Sequence, residues 1–296
     1  MKRFLSSFYL KIIAITAMTF DHVGKMLYFF YPSNEIIANL EYAFNLIGRL
    51  AFPIFLFLIW EGFNNTKNIK NYFCRLGFMA AIMIAGFLIV GFIPQLGVAP
   101  FLIKYGNIFI DLLLSLLFFY LINQENIKLQ LLSILPIGYF VFCLLLQTNV
   151  IVVNNDIVKV LLSGFMSQFS FITPVLLILI AIFALIRNLY SRNKFIDEEN
   201  KYKELFAIPS FETRTYVYAF AVSALVLIIY GLTFVPQINF NTNFVIDSYF
   251  ILALIPIIFY NGILGYNSKI LKSAYYLYYP VSLCIIFLVV YLTSIF

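Results

Sequence analysis

Residues 10–30 read LKIIAITAMTFDHVGKMLYFF, and residues 44–63 read FNLIGRLAFPIFLFLIWEGF. Each stretch is about 20 residues long and mainly apolar, which is the length of an α-helix that crosses the hydrocarbon core of a bilayer. Lipid offers the backbone no hydrogen-bond partners, so such stretches are predicted to be helical. These two runs therefore predict the opening of an α-helical membrane protein.

The rest of the chain has the same character. Of its 296 residues, 63% are hydrophobic and 11% are charged, whereas about a quarter of the residues of a soluble domain are charged. Apolar runs return from end to end, which predicts one all-α polytopic membrane domain over residues 1–296. We expect about nine transmembrane helices (about 8 to 10), at residues 9–30, 42–62, 72–93, 105–122, 129–147, 168–186, 216–236, 245–264 and 274–295.

Lysine and arginine are unevenly divided between alternate loops of this prediction. One set of loops holds fourteen of them, and the other set holds three, Lys25, Lys104 and Lys159. Because cytoplasmic loops are enriched in Lys and Arg, the N-terminus is predicted to be cytoplasmic. The mixed-charge connection 187–215 is predicted to be a cytoplasmic loop, and segment 151–166 an external or interfacial loop.

Some classes of site are not indicated. The net charge of +6 does not predict nucleic-acid binding, because the basic residues lie in loops between apolar runs. Three cysteines without paired spacing and a single histidine predict neither a disulfide framework nor a metal site. Asp21 and His22 interrupt the first run, so we expect an uncleaved span and not a secretion signal.

Ionisable side chains inside a membrane span are costly unless they face water or a partner, so they are candidates for function. The first two runs contain six of them: Lys11, Asp21, His22, Lys25, Arg49 and Glu61. Lys11 and His22 are predicted to share one helix face, about 16 Å apart along the axis. In an antiparallel hairpin, Arg49 would lie near the depth of Asp21, and Glu61 near Lys11.

This layer has the groups that acid/base chemistry requires. His22 is the only histidine, and its unperturbed pKa is close to neutral, so it is a candidate general base. Asp21 would orient the imidazole or hold a nearby positive charge, and Arg49 would stabilise an oxyanion or pair with Asp21. The structural alternative is that these are packing residues and buried pairs. Lys25 is expected to snorkel to the outer interface.

Other polar residues form two further groups. Lys11, with the loop residues Lys67, Lys70 and Arg75, would make a basic cytoplasmic mouth that suits a phosphorylated cofactor. At the outer end of the fourth span, Asn107 and Asp111 either pack or line a cavity. Asn261 in the eighth span likewise either packs or lines a cavity.

The first two runs and their continuation NNTKNIKNYFCRL (residues 64–76) resemble the opening of TraX-family membrane proteins. The Asp-His and Gly-Arg-x-Ala-Phe-Pro signatures carry most of the resemblance. YGNIFIDLLLSLLFFYL (105–121) and FYNGILGYNSKILKSAYYLYYPVSLCII (259–286) are similar to later family segments. The family often has His where this chain has Ser282. A wider class of bacterial membrane O-acyltransferases has Arg or Lys, ten residues and then His on its first helix, as Lys11 and His22 do.

The resemblance implies an acetyltransferase of the bacterial cytoplasmic membrane that uses acetyl-CoA and no metal; the family is named after a protein that acetylates the pilin N-terminus. It implies that His22 is catalytic, that Arg49 belongs to the active-site shell and that Lys11 approaches the coenzyme phosphates. Asp21 is a further catalytic candidate because of its position beside His22. The candidate cofactor-binding residues are Lys11, Glu61, Lys70 and Arg75, and the candidate substrate-binding residues are Asn107, Asp111, Asn261 and Tyr279. A peptide amine is the favoured acceptor, and a glycan hydroxyl stays open. A transporter or flippase and a silent scaffold are the alternatives.

Overall fold

A computed structural model describes residues 4–93, 106–192, 217–219, 221, 222, 225 and 249–295. The described segments form helices joined by turns and short connections, with one isolated bridge between Leu5 and Tyr260 and no strand, which confirms the all-α class. The chain packs as two compact units: unit 1 is Met1–Leu58 with Tyr216–Phe296, and unit 2 is Ile59–Thr215. This division concerns helix packing, and the single acyltransferase-like domain over residues 1–296 stays a prediction.

The helices, in chain order, are as follows. Unit 1 begins with α1 (Ser7–Phe30), α2 (Glu35–Gly48) and the first part of α3 (Ala51–Asn65). Unit 2 continues with α4 (Ile69–Gly91), α5 (Ile108–Ile122), α6 (Ile127–Leu131), α7 (Ile134–Gln147), α8 (Asp156–Ser163) and α9 (Ile172–Arg192). Unit 1 resumes with a 3-10 helix (Tyr249–Ala253), α10 (Leu254–Ile258) and α11 (Lys269–Ile295).

Asparagine starts many of these helices. The side-chain oxygen of an N-cap Asn accepts a hydrogen bond from one or two free N–H groups of the first turn. Five helices, α2, α4, α5, α6 and α8, begin in this way, at Asn34, Asn68, Asn107, Asn126 and Asn155. The sequence thus marks its own helix starts inside a mainly apolar chain.

Proline accounts for the break between α2 and α3. In a continuous helix the carbonyl of Arg49 would accept a hydrogen bond from the N–H of residue 53, but Pro53 has none. The chain instead tightens at this point, where the N–H of Leu50 donates to the carbonyl of Ile47 at 3.1 Å. Pro53 lies in the first turn of α3, where a missing N–H costs no intrahelical bond.

Unit 1 is arranged around α1. The buried face of α1 carries small or apolar residues at helical spacing, Leu10, Ala14, Ala17 and Met18, and small residues let neighbouring helices approach closely. Helix α2 packs antiparallel to α1, and α11 packs parallel to it. The free N–H groups of Ser7 and Phe8 at the start of α1 donate to the carbonyls of Ile263 and Leu264.

Unit 2 is built around α5. Nearly every residue of this helix is buried, as expected for a helix that is apolar on all sides. It packs against α4, α6, α7 and α9, and α4 also contacts α8. The polar residues at its start, Asn107 and Asp111, tie it to the chain between α8 and α9.

Four described helical stretches are long and apolar enough to cross a membrane: Glu35–Asn65, Ile69–Gly91, Ile127–Gln147 and Ser273–Thr293. Shorter apolar helices are found at Ile108–Ile122, Ile172–Ile186 and Tyr249–Ile258. Helix α1, which carries the charged residues, has 24 residues, or about 36 Å of rise. The chain is a membrane protein. The predicted span 216–236 lies mostly outside the described residues, as do Lys104 and residues 193–215 of the predicted loop.

Two expectations were wrong in detail. Segment 151–166 was predicted to be a loop, but it contains α8, because Asn155 caps a helix by accepting from the N–H groups of Ile157 and Val158. In the predicted eighth span, 245–264, the described residues form short helices that end at Ile258. The chain then turns, because Asn261 and Gly262, with φ of 80° at the glycine, favour a turn.

Candidate active site

Asp21 on the buried face of α1 forms an ion pair with Lys25, one turn further along the helix. Lys25 Nζ donates to Asp21 Oδ2 at 2.6 Å, and the side chains are 17% and 10% exposed, respectively. The expectation that Lys25 reaches the outer interface stays a prediction, and the structure adds that its ammonium group turns towards Asp21. A buried carboxylate one turn away stabilises the ammonium group where it is, because an unpaired buried charge is costly.

Asp21 is enclosed by the end of α2. A Cβ atom at position 48 would lie 2.8 Å from Cγ of Asp21, so only glycine fits there. One turn along the crossing, a Cβ at Gly24 would lie 3.0 Å from Cβ of Phe44. Arg49 follows Gly48 in the chain, so the contact between Gly48 and Asp21 places Arg49 close to α1. The structure therefore brings the ends of the two signatures, Asp-His and Gly-Arg, together.

His22 is buried, at 7% exposure, and its ring meets Tyr279 of α11 edge-on, with the ring centres 5.2 Å apart. Its Nδ1 atom is buried and has no hydrogen-bond partner among the residues that the structure describes. Of the two roles predicted for Asp21, holding a nearby positive charge agrees with its ion pair with Lys25, and Asp21 makes no hydrogen bond to Nδ1 of His22. Buried polar atoms without partners are rare in proteins and often lie at functional sites.

Lys11 also meets α11. Its Nζ lies 5.3 Å from the centre of the Tyr275 ring, a cation–π arrangement. Between Lys11 and His22, Thr19 shares a hydrogen bond of 2.8 Å with the hydroxyl of Tyr278. The tyrosine-rich start of α11 thus contacts α1 along the interval between the two predicted site residues.

Ser282 lies on α11 one turn beyond Tyr279. It is buried, and its hydroxyl donates to the carbonyl of Tyr279 at 3.0 Å. Position 282 is therefore an interior position of unit 1, and a small side chain occupies it with its hydrogen bond satisfied.

Asn261 is placed away from this cluster. Its backbone N–H donates to the carbonyl of Leu5, and its side-chain oxygen accepts from the N–H of Ile263. It thus shapes the turn that covers the start of α1, about 25 Å of helix rise from His22. The structure does not bring Asn261 together with the imidazole.

The remaining cofactor candidates belong to unit 2. Glu61 is buried on α3, whereas Lys70 and Arg75 are exposed on the first turns of α4. The guanidinium carbon of Arg75 lies 5.7 Å from the centre of the Tyr72 ring. Lys11 belongs to unit 1, and its predicted proximity to Glu61 stays a prediction.

Asp111 is fully buried, and four hydrogen bonds reach its carboxylate. Oδ1 accepts from the hydroxyls of Ser167 and Thr173 and from the N–H of Phe169, and Oδ2 accepts from the N–H of Gln168 at 2.8 Å. These bonds fasten the chain before α9 to α5. Packing within unit 2 therefore accounts for this carboxylate.

Asn107 is also fully buried and multiply bonded. Its amide nitrogen donates to the carbonyls of Ala80 and Gly164, and its oxygen caps α5 by accepting from the N–H of Phe109. All three bonds are internal to unit 2. Like Asp111, Asn107 has the contacts of a packing residue.

Three residues in unit 1 were missed as members of this site: Lys25, Gly48 and Asn45. Asn45 is buried on α2, and its amide nitrogen donates to Glu41 Oε1 at 3.3 Å. The available signal was the spacing of Glu41, Asn45 and Arg49, each four residues apart, which places three polar groups on one face of a membrane helix. Among the described residues, no group of His, Cys, Asp and Glu could hold a metal ion.

Replacing Gly48 by alanine should disrupt the crossing of α1 and α2. The new Cβ overlaps the side chain of Asp21, so the helices must move apart, and overpacking of this kind costs about 1–3 kcal/mol. Thermal unfolding in detergent measures the loss. Gly77→Ala in α4 is the matched control, because a Cβ there meets nothing within 4 Å. Equal stability of the two variants would contradict the close approach.

Comparisons with known proteins agree with the resemblance. A family model described as "TraX protein" matches residues 6–196, a range that includes Asp21, His22 and Arg49. The chain is 32% identical over 114 residues to "Probable fimbrial assembly protein FimC, serogroup H1" of Dichelobacter nodosus, covering 38% of this chain and 44% of that protein. The chain thus matches less than half the length of this relative, and no solved structure matches it. Because the family model covers more than half of the chain, this protein belongs to the TraX family.

Proposed function

We propose that this protein is an integral-membrane acetyltransferase that moves an acetyl group from cytoplasmic acetyl-CoA to an amine or hydroxyl acceptor. One observation carries the proposal: the only histidine is buried beside Tyr279, and Nδ1 of its ring has no partner among the described residues. Membership of the TraX family supports the choice of reaction. A group of this kind suits proton transfer, because its unperturbed pKa is close to neutral.

A peptide N-terminus is the favoured acceptor. The family is named after a protein that acetylates the N-terminus of pilin, and the relative in Dichelobacter nodosus is named as a fimbrial assembly protein. A pilin-like peptide amine is therefore the first acceptor to test. A glycan hydroxyl is the second, because the same proton transfer serves both groups.

His22 acts as the general base in this proposal. It takes the proton from the acceptor N–H or O–H while the acceptor atom attacks the acetyl carbonyl carbon. After the carbon–sulfur bond has broken, the imidazolium returns this proton to the sulfur atom, so the free thiol leaves. General-base help is worth about 10²–10⁴-fold in rate.

Arg49 and Asp21 set the charge around the imidazole. Arg49 stabilises the oxyanion that develops on the carbonyl, and a donor of this kind contributes about 10²–10³-fold. Asp21, paired with Lys25 and packed on Gly48, acts as a positioning residue and does not exchange protons. The close approach at Gly48 holds the end of α2, and therefore Arg49, near α1.

Lys11 is the proposed contact for the coenzyme phosphates. It lies about 16 Å from His22 along α1, which is comparable to the reach of an extended pantetheine arm. Both residues contact α11, Lys11 through Tyr275 and His22 through Tyr279. An acetyl-CoA molecule lying along α11 would therefore meet the Lys11 ammonium group at one end and the His22 imidazole at the other. Lys70 and Arg75 remain candidate cofactor-binding residues on their positive charge, and Glu61 remains one on its predicted proximity to Lys11.

We also propose nine spans with a cytoplasmic N-terminus in the bacterial cytoplasmic membrane. The distribution of Lys and Arg between loops, fourteen against three, supports this orientation. The parallel course of α1 and α11, seen in the pairing of Phe30 with Phe287 and of His22 with Tyr279, supports an odd number of crossings. The connection 187–215 would then lie in the cytoplasm.

A transporter or flippase is the competing function. The helix break at Arg49 and Leu50 favours it, because discontinuous helices form the binding sites of many carriers. The two functions differ in what happens to the thioester. An enzyme consumes it, whereas a carrier moves its substrate and leaves acetyl-CoA intact.

The deciding experiment uses purified protein in detergent, radiolabelled acetyl-CoA and an apolar peptide with a free amino terminus. We expect label on the peptide and release of one thiol for each acetyl group transferred. A peptide with a blocked amino terminus is the control and should stay unlabelled. Intact acetyl-CoA after prolonged incubation would contradict the proposed function.

A further inference from the structure

The side-chain amide of Asn45 has a fixed orientation and an unused acceptor. Its nitrogen donates to the carboxylate of Glu41 at 3.3 Å, and an ionised carboxylate only accepts, so the amide nitrogen must face Glu41. The Oδ1 atom then points away from Glu41. It is buried and has no hydrogen-bond partner among the residues that the structure describes, although Asn45 is only 5% exposed.

The helix crossing places this atom at the depth of His22. On α2, Asn45 lies between Phe44, which packs on Gly24, and Gly48, which packs on Asp21. On α1, His22 lies within the same interval, between Asp21 and Gly24. Two buried polar atoms without partners, Asn45 Oδ1 and His22 Nδ1, therefore belong to one layer of the α1–α2 crossing.

We propose that Asn45 is a substrate-positioning residue, whose Oδ1 accepts a hydrogen bond from the N–H or O–H group of the acyl acceptor. This inference rests on the proposed acetyltransferase function. Amines and alcohols both donate hydrogen bonds, whereas the thioester of the acetyl donor does not. The pantetheine arm of acetyl-CoA does carry N–H groups, but the part of the donor that reacts at the depth of His22 is the thioester. Asn45, at that depth, is therefore assigned to the acceptor. Glu41 contributes by holding the amide in the orientation that exposes its oxygen to the acceptor.

The test compares two reactions of purified protein in detergent with radiolabelled acetyl-CoA. The first is acetyl transfer to an apolar peptide with a free amino terminus, and the second is the slow hydrolysis of acetyl-CoA without peptide. Asn45→Leu, which keeps the side-chain volume and removes the acceptor, should lower kcat/KM for the peptide about 10- to 100-fold. Hydrolysis without peptide and the KM for acetyl-CoA should stay as in the unmodified protein.

A paired exchange tests the hydrogen bond itself. In the double variant Glu41→Gln with Asn45→Asp, the amide and the carboxylate change places, and the total charge is unchanged. The amide of residue 41 then donates to the carboxylate at position 45, whose second oxygen is left to accept from the peptide. Peptide transfer should recover relative to Asn45→Leu. Asn39→Leu, at an exposed position on the same helix, is the control and should behave as the unmodified protein.

The outcomes are separable. Wild-type peptide kinetics in Asn45→Leu would overturn the inference. An equal loss of peptide transfer and of acetyl-CoA hydrolysis, not recovered by the paired exchange, would also overturn it, because disrupted packing alone explains that pattern. If Asn45→Leu does not fold, the double variant Glu41→Gln with Asn45→Asp decides. Peptide transfer near the wild-type rate in this double variant supports the hydrogen bond. A loss of acetyl-CoA hydrolysis that exceeds the loss of peptide transfer contradicts it. An unmodified protein that consumes no acetyl-CoA would refute the proposed function itself.

Discussion

His22→Ala is expected to lower acetyl transfer by about 10²–10⁴-fold, which is the usual contribution of a general base. The chain has no second histidine, so no other side chain with a near-neutral unperturbed pKa replaces it. The fold should survive, because the imidazole contributes a ring contact with Tyr279 and no hydrogen bond at Nδ1 to the described residues.

The measurement is the rate of label transfer from acetyl-CoA to a peptide with a free amino terminus, with protein of confirmed helix content. Met18→Leu is the matched control, because Met18 lies one turn earlier on the same buried face of α1 and this exchange nearly conserves volume. It should retain activity. If His22→Ala transfers acetyl groups as fast as this control, His22 is not the base.

Asp111→Leu is expected to give the largest loss of stability, because it leaves four buried neutral donors without an acceptor, and each unsatisfied buried donor costs about 1–3 kcal/mol. Three donors from the chain between α8 and α9, and a fourth from Thr173 in the first turn of α9, meet this carboxylate. Leucine satisfies none of them. Asp111→Asn keeps one acceptor oxygen, so its stability should lie between those of the unmodified protein and Asp111→Leu. The loss arises because the new amide NH₂ group faces a donor and cannot accept its hydrogen bond.

Thermal or denaturant unfolding in detergent ranks the stability of the unmodified protein, Asp111→Asn and Asp111→Leu. Asp156→Leu is the control, because Asp156 is an exposed residue that pairs with Lys159 on the surface of α8, and exposed pairs contribute about 0–1 kcal/mol. Equal losses at positions 111 and 156 would show that the four bonds to Asp111 do not hold unit 2 together. Residual acetyl transfer in folded Asp111→Asn would agree with a packing role.

The positions of most helices were readable from the sequence, because lipid permits few alternatives to a helix in a long apolar run. The N-caps could also be predicted from the sequence, since asparagine before an apolar run marks a helix start. Segment 151–166 was mistaken for a loop because its polar residues were read as a break, although Asn155 and Asp156 are a start signal for α8.

Side-chain partners were less predictable than helices. Asp21 was expected to orient the imidazole, to hold a nearby positive charge or to pair with Arg49. The positive charge that binds its carboxylate is Lys25, because residues four apart on a helix face each other. Asn107 and Asp111 were equally compatible with a cavity and with packing. Their partners lie up to 62 residues away in the chain, and no local pattern reveals such a contact.

By itself, the sequence determined that this is a helical membrane protein of the TraX family, with its charged residues gathered on the first two apolar runs. These properties follow from composition, from apolar length and from short motifs, all of which are local. The tertiary structure alone decided that Gly48 packs on Asp21, that His22 meets Tyr279, and that Asn45 leaves an acceptor atom unused. Such pairings depend on the register between helices that are distant in the chain, and that register is set by the close approach of small residues.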